Sequence, residues 1–214
     1  MDVFKILGVF TLFESNGSEL DLLTDKNSVL VLVDYQPTMI KSIASGDKTI
    51  IKKAAVLAAK AASILDVPVV LSSINPKSNG DVFPEIRELF PEQEIFARKV
   101  PSFDAFEDQG TYDAVKKTNK NKLVISGLWT SMCFTYTALH AVKDEYDVYG
   151  LMDAAGDSTI DAHNYGVKRM LQAGVIPITL ESLVSEWMHD WDNPKSGKLL
   201  EEVYSKYGAM IGIH

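Results

Sequence analysis

The chain has 214 residues, 46% of them hydrophobic and 23% charged, which suits one folded domain with a sizeable core and argues against disorder. A formal net charge of −8 disfavours nucleic acid and anionic membrane surfaces as partners. A single cysteine excludes an internal disulfide and fits a reducing, cytoplasmic setting.

The N-terminal stretch MDVFKILGVFTLF has some features of a secretory leader. However, Asp2 offsets Lys5, Gly8 interrupts the apolar run, and no small-residue cleavage site follows. No apolar run approaches the ~20 residues of a membrane span. Ser15 to Ser18 (SNGS) reads as a turn, so residues 1–27 are expected to form an N-terminal arm.

From Ser28 strands and helices alternate. SVLVLVD (28–34) is apolar on both faces, as a buried parallel strand must be. Asp47 can cap a helix running to about Asp66. VPVVLSS (67–73) is a second buried strand, and Phe83 to Phe90 a short helix with Pro84 in its first turn. EIFARK (94–99) is a short strand, Thr111 to Thr118 a helix, and KLVISGL (122–128) a strand. A helix is expected from Ser131 to about Glu145, a strand at DVYGLMD (147–153), a helix from Ser158 to Ala173 ended by Gly174, and a last strand at VIPITL (175–180). This order predicts a doubly wound, Rossmann-like α/β sheet of about six mainly parallel strands with helices on both faces. The expected organisation is an arm (1–27), a catalytic domain (28–180) and a helical C-terminal appendage (181–214). Trp187 and Trp191 in that appendage are expected at a subunit contact.

In open parallel sheets ligands bind beyond the carboxyl ends of the strands. Those ends here carry Asp34, Ser72 and Ser73, Lys99, Cys133 and Asp153. Neither glycine-rich phosphate signature follows a strand, so no nucleotide cofactor is expected. Cys133 falls near a helix N-terminus, where free N–H groups and the macrodipole favour a thiolate and can stabilise an oxyanion. The competing reading is a small buried hydrophobe. His140 shares the face of Cys133 but stands about 10.5 Å along the helix axis, too far to deprotonate it. His163, His189 and His214 follow no recognisable signal. Asp34 is the better candidate base.

VLVDYQ with Asp34, FARKVPSFDAF with Lys99, and GLWTSMCFTYTALHA with Cys133 together resemble the Asp-Lys-Cys triad motifs of the isochorismatase-like cysteine hydrolases, over about residues 28–180. The C-terminal WMHDWDNPKSGKLLEEVYSKY is similar to the YcaC-like subgroup, whose members form larger homo-oligomers. The resemblance implies hydrolysis of a small-molecule amide through a Cys133 thioester, with Asp34 as base and Lys99 stabilising charge. It also implies a cis peptide at Leu128–Trp129, which would aim the backbone N–H groups of Trp129 and Cys133 at the substrate oxygen as an oxyanion hole. Tyr35, Gln36, Phe103 and Trp129 are candidate substrate-binding residues. The thiol is expected to titrate below the ~8.5 of a free cysteine. Two departures stand out. Nicotinamidases of this family hold a divalent metal through histidines after the second strand, whereas SSINPKSNGDVF has none, so neither a metal nor any other cofactor is expected. The family's Ser-Ala-Phe reads Asp104-Ala-Phe here, a carboxylate that either alters substrate charge preference or caps the next segment. Vinyl-ether hydrolysis of the isochorismatase type, a redox-active thiol and a non-catalytic assembly protein are the alternatives. The expected partners are a small-molecule substrate and further copies of the chain, in a tetramer or larger.

Overall fold

In the computed structural model, residues 21–99, 101–208 and 211 are described; the expected N-terminal arm up to residue 20 lies outside them. Six strands form one sheet: β1 (Ser28–Val33), β2 (Val69–Ile74), β3 (Ile95–Arg98), β4 (Lys122–Gly127), β5 (Asp147–Leu151) and β6 (Ile176–Ile178). Their order is β3-β2-β1-β4-β5-β6, and every pairing is parallel. The chain therefore moves outward from β1 in one direction, then returns to β4 and moves outward in the other. The gap between the carboxyl ends of β1 and β4 is the topological switch point of the sheet.

Nine helices pack against the sheet or close its ends: α1 (Pro37–Lys41), α2 (Lys48–Leu65), α3 (Pro76–Asn79), α4 (Pro84–Arg87), α5 (Gln109–Lys117), α6 (Thr135–Lys143), α7 (Ile160–Gln172), α8 (Leu180–Met188) and α9 (Ser196–Glu202) among the described residues. The two-residue period of β1 divides the core. Leu30 and Leu32 face α2 and α8, whereas Val29, Val31 and Val33 face α5, α6 and α7. Helix α2 is capped by Asp47, which accepts from Thr49 N–H at 2.7 Å, and it lays six alanines, from Ala54 to Ala62, against the sheet. Those small side chains let the helix backbone approach closely.

The C-terminal stretch does not stand off from the domain. Leu183, Val184 and Trp187 on α8, with Leu199, Val203 and Tyr204 beyond, belong to the same core cluster as α2. Trp187 is buried and its indole N–H donates to Ser28 Oγ at 2.8 Å, so it is a core residue and not a surface contact. Trp191 alone of the pair is exposed, beside the ring of Tyr204. Asp153 accepts the Leu180 backbone N–H at 3.0 Å and the Tyr207 hydroxyl at 3.0 Å, which pins the start of α8 to the end of β5.

Candidate active site

Asp34 follows β1 directly, and its backbone turns into the left-handed region with φ 61°. Aspartate tolerates that region better than most residues, but the conformation still needs outside support. The next two side chains supply it. Gln36 donates from Nε2 to the carbonyls of Ile74 and Gly80 and accepts the Ile74 N–H at 2.9 Å. The Tyr35 hydroxyl lies 2.8 Å from both Ser126 Oγ and the Ala154 carbonyl, in the core. Both were expected to reach substrate. Their polar atoms are instead spent on fixing the turn that presents Asp34.

The cation beside Asp34 is Arg98, not Lys99. Side chains alternate along β3, so Arg98 points to the α6 side of the sheet and Lys99 stays exposed, in a surface cleft with Glu94, Asp108 and Asp113. Arg98 Nη2 lies 2.5 Å from Asp34 Oδ2, and Nη1 donates to Ser72 Oγ at 3.0 Å. Both charged side chains have 0% exposure. The pair can be bidentate in principle, yet Asp34 Oδ1 and Arg98 Nε are both buried without a hydrogen-bond partner among the described residues. Ser73 Oγ is a third such atom, one residue along β2 from Ser72.

Cys133 comes from the other side of the switch point. After β4, Leu128–Trp129 is a cis peptide, as the family resemblance implied. A wide, π-type turn (Thr130–Phe134) follows and runs into α6. The sulfur sits 3.9 Å from Arg98 Nη2. The thiol is 1% exposed. Burial, then the Asp34 charge and its hydrogen bond, push its pKa well up; Arg98 and the Trp129 N–H pull weakly the other way. The expected acidic thiol is therefore corrected: burial and the Asp34 charge hold the proton on sulfur. Burial pushes the Asp34 carboxyl up as well, with Arg98 opposing it. Because the guanidinium is closer to the carboxylate than to the sulfur, the negative charge of the couple resides on Asp34.

The remaining candidates lie further out. The Trp129 indole N–H donates to Ser42 Oγ at 2.9 Å and Met39 O at 3.2 Å, tying the turn that carries Cys133 to α1. Phe103 is 50% exposed and meets Tyr136 edge-on. Asp104 caps the turn at Phe106 N–H (2.9 Å) and accepts from His140 at 2.6 Å, so this carboxylate is engaged in capping. Among the described residues no three His, Cys, Asp or Glu side chains converge as a metal site would require.

A buried Asp-Arg-Cys cluster at the switch point of a 3-2-1-4-5-6 sheet coincides with a family match. The model of the isochorismatase domain matches residues 28–182. The chain belongs to the isochorismatase family. Among relatives of this isochorismatase-family hydrolase, the probable hydrolase YcaC of Escherichia coli (strain K12) is 29% identical over 175 residues, covering 81% of this chain and 84% of the relative. The crystal structure of the Escherichia coli YcaC product, an octameric hydrolase of unknown specificity, superposes with a TM-score of 0.80 at 25% identity, covering 85% of this chain and 91% of that one. YcaC from Pseudomonas aeruginosa, with hexane-2,5-diol and covalent acrylamide, gives the same TM-score and identity over 85% of this chain and 92% of that one.

Proposed function

We propose that this family member is a cysteine hydrolase that cleaves a small-molecule amide through a thioester on Cys133, with Asp34 as proton shuttle and Arg98 in the place of the family's lysine. The observation that carries the reading is the single guanidinium reaching Asp34 Oδ2 at 2.5 Å and Cys133 Sγ at 3.9 Å. Arginine does not lose its proton in proteins, so it holds Asp34 ionised although burial disfavours that charge.

The reaction begins with the thiol neutral. As Sγ attacks the amide carbon, its proton passes to Asp34 and the carbonyl electrons move to oxygen. The Trp129 N–H, with that of Cys133, receives the resulting oxyanion. Collapse of the tetrahedral intermediate breaks the C–N bond, and Asp34 returns its proton to the leaving amine. Water then attacks the thioester while Asp34 takes a proton from it. The departing thiolate is reprotonated and the carboxylic acid leaves. A thiol with a raised pKa is a poor nucleophile at rest, so attack and proton transfer are coupled, which restricts reactivity to substrates that enter the pocket. The same property disfavours a free redox thiol, whose reactivity follows thiolate content. Covalent acrylamide in the Pseudomonas aeruginosa relative supports an amide-sized pocket beside a nucleophile.

The octamer named for the Escherichia coli relative supports assembly here too. A closed homo-oligomer, tetramer or larger, would cover exposed apolar groups such as Ile160, Tyr165 and Trp191. Light scattering that returned a 23.6 kDa particle at micromolar concentration would refute it.

The catalytic reading is tested by a screen of small amides with wild type and Cys133→Ala, paired with intact-mass detection of an acrylamide adduct. The expected result is turnover and a single adduct in wild type, and neither in the variant. Amide turnover that survives Cys133→Ala would overturn the proposal.

A further inference from the structure

Asp157 takes no part in the steps above, yet it is completely buried and both its carboxylate oxygens accept hydrogen bonds. Oδ2 accepts the Ser131 backbone N–H at 2.7 Å. Oδ1 accepts the Ser158 N–H at 2.7 Å and faces the Ser158 hydroxyl at 3.3 Å. The backbone of the same residue reaches a third element. Its carbonyl accepts from Ala44 N–H (2.8 Å) and Ser45 N–H (3.1 Å), and its own N–H donates to Ser45 Oγ at 2.8 Å. Asp157 thus joins the loop between α1 and α2, the start of α7, and the wide turn that carries Cys133.

The position of Ser131 gives this contact chemical weight. Two residues before it lies Trp129, joined to Leu128 by the cis peptide; two residues after it lies Cys133 itself. The neighbouring Thr130 N–H is held by the Gly156 carbonyl at 3.0 Å. Helix α7 closes on Ser131 at Gly166, where a Cβ would come within 2.9 Å of Ser131 Cα and 3.0 Å of its N. Ser131 is therefore bonded to a buried carboxylate and packed tightly on a helix backbone. A buried ionised acceptor makes a shorter and stronger hydrogen bond to an N–H than a neutral one. Small displacements of a nucleophile from its attack geometry cost large factors in rate.

We infer that Asp157 is a positioning residue for the nucleophile: by clamping the Ser131 amide against α7, it sets the distance and orientation of Cys133 and the Trp129 N–H relative to Asp34 and Arg98. This rests on Cys133 being the nucleophile. The readout is the rate of the Cys133 adduct with acrylamide, followed by intact mass against pH at a temperature well below unfolding, alongside thermal melting.

Asp157→Asn keeps the shape but turns one accepting oxygen into a donor. Its adduct rate is expected to fall at least tenfold, in a lower plateau. Gly166→Ala presses on Ser131 Cα and N with the carboxylate intact, and the same loss is expected. Ser45→Ala removes a hydrogen bond of the Asp157 backbone and leaves the carboxylate on Ser131; its adduct rate is expected to stay within twofold of wild type. Melting shifts without loss of adduct rate in Asp157→Asn and Gly166→Ala would mean a structural tie only, and would overturn the inference. If Asp157→Asn does not fold, a wild-type rate in Gly166→Ala has the same force. Absence of any adduct in wild type would instead strike the nucleophile reading.

Discussion

Two aspartates follow strands on the same edge of this sheet, Asp34 fully buried and Asp153 half-buried, and they have opposite characters. Asp153, after β5, accepts the Leu180 N–H and the Tyr207 hydroxyl, and burial raises its pKa without any cation nearby to oppose it. Asp34, after β1, sits in a left-handed backbone, leaves Oδ1 unpaired and faces a guanidinium and a thiol. A carboxylate whose hydrogen bonds are all met by its own chain is a fastener. One with an oxygen that has no partner among the described residues, ion-paired to an Arg98 whose Nε is likewise unpartnered there, is prepared for a ligand or a travelling proton. The contrast separates structure from chemistry better than strand position, which the two share.

Substitutions at the reactive end should give the largest effects. Cys133→Ala is expected to abolish amide turnover and the acrylamide adduct while the fold persists, since a small buried side chain replaces another. Detectable turnover in a melting-competent Cys133→Ala protein would end the contrast, for the cluster around Asp34 would then need another nucleophile. Asp34→Asn keeps the volume and removes the proton acceptor, so turnover should fall by about 10²–10⁴. The pH midpoint of adduct formation should move down at the same time, because the Asp34 charge no longer holds the proton on sulfur; an unchanged midpoint would place the proton elsewhere.

At the fastening end the expectation reverses. Asp153→Asn should cost about 1–3 kcal/mol of stability, as a charged acceptor is lost from the Leu180 N–H and Tyr207 hydroxyl. Denaturant unfolding measures that. The adduct rate of Cys133 should stay within twofold of wild type, and a large loss would mean that the two aspartates do not differ as described.

Much of this arrangement is legible in the sequence. The apolar runs at β1 and β4 mark strands buried on both faces, Asp47 marks the start of α2, and Gly174, with φ 94°, marks the end of α7. Together they place Asp34 and Cys133 on the functional edge. What escapes is what depends on distant partners. Tyr35 and Gln36 look like pocket residues until the Ala154, Ser126, Ile74 and Gly80 atoms that occupy them are in place. Trp187 looks like a surface aromatic until Ser28 is beside it. A nearby helix start and a lysine in the motif suggest an acidic thiol, whereas burial and the Asp34 charge dominate it. Asp157 carries no local signal at all; only folding brings it to Ser131. The choice between Arg98 and Lys99 was the most recoverable. In FARKV the two-residue period puts Phe96 and Arg98 on one face, so fixing the inward face of this four-residue strand from Phe96 assigns the inward cation to Arg98.

That choice also gives the most direct test. The rate of Cys133 alkylation by iodoacetamide, followed against pH, reports the thiol in its resting state. In wild type the rate should rise with pH to a midpoint above the ~8.5 of a free thiol, because burial and Asp34 hold the proton on sulfur. Arg98→Met removes the cation that opposes this, so its midpoint should move to still higher pH and its amide turnover should fall. Lys99→Met should superimpose on wild type in both respects. A shifted midpoint and lost turnover in Lys99→Met, with Arg98→Met unaffected, would contradict the account.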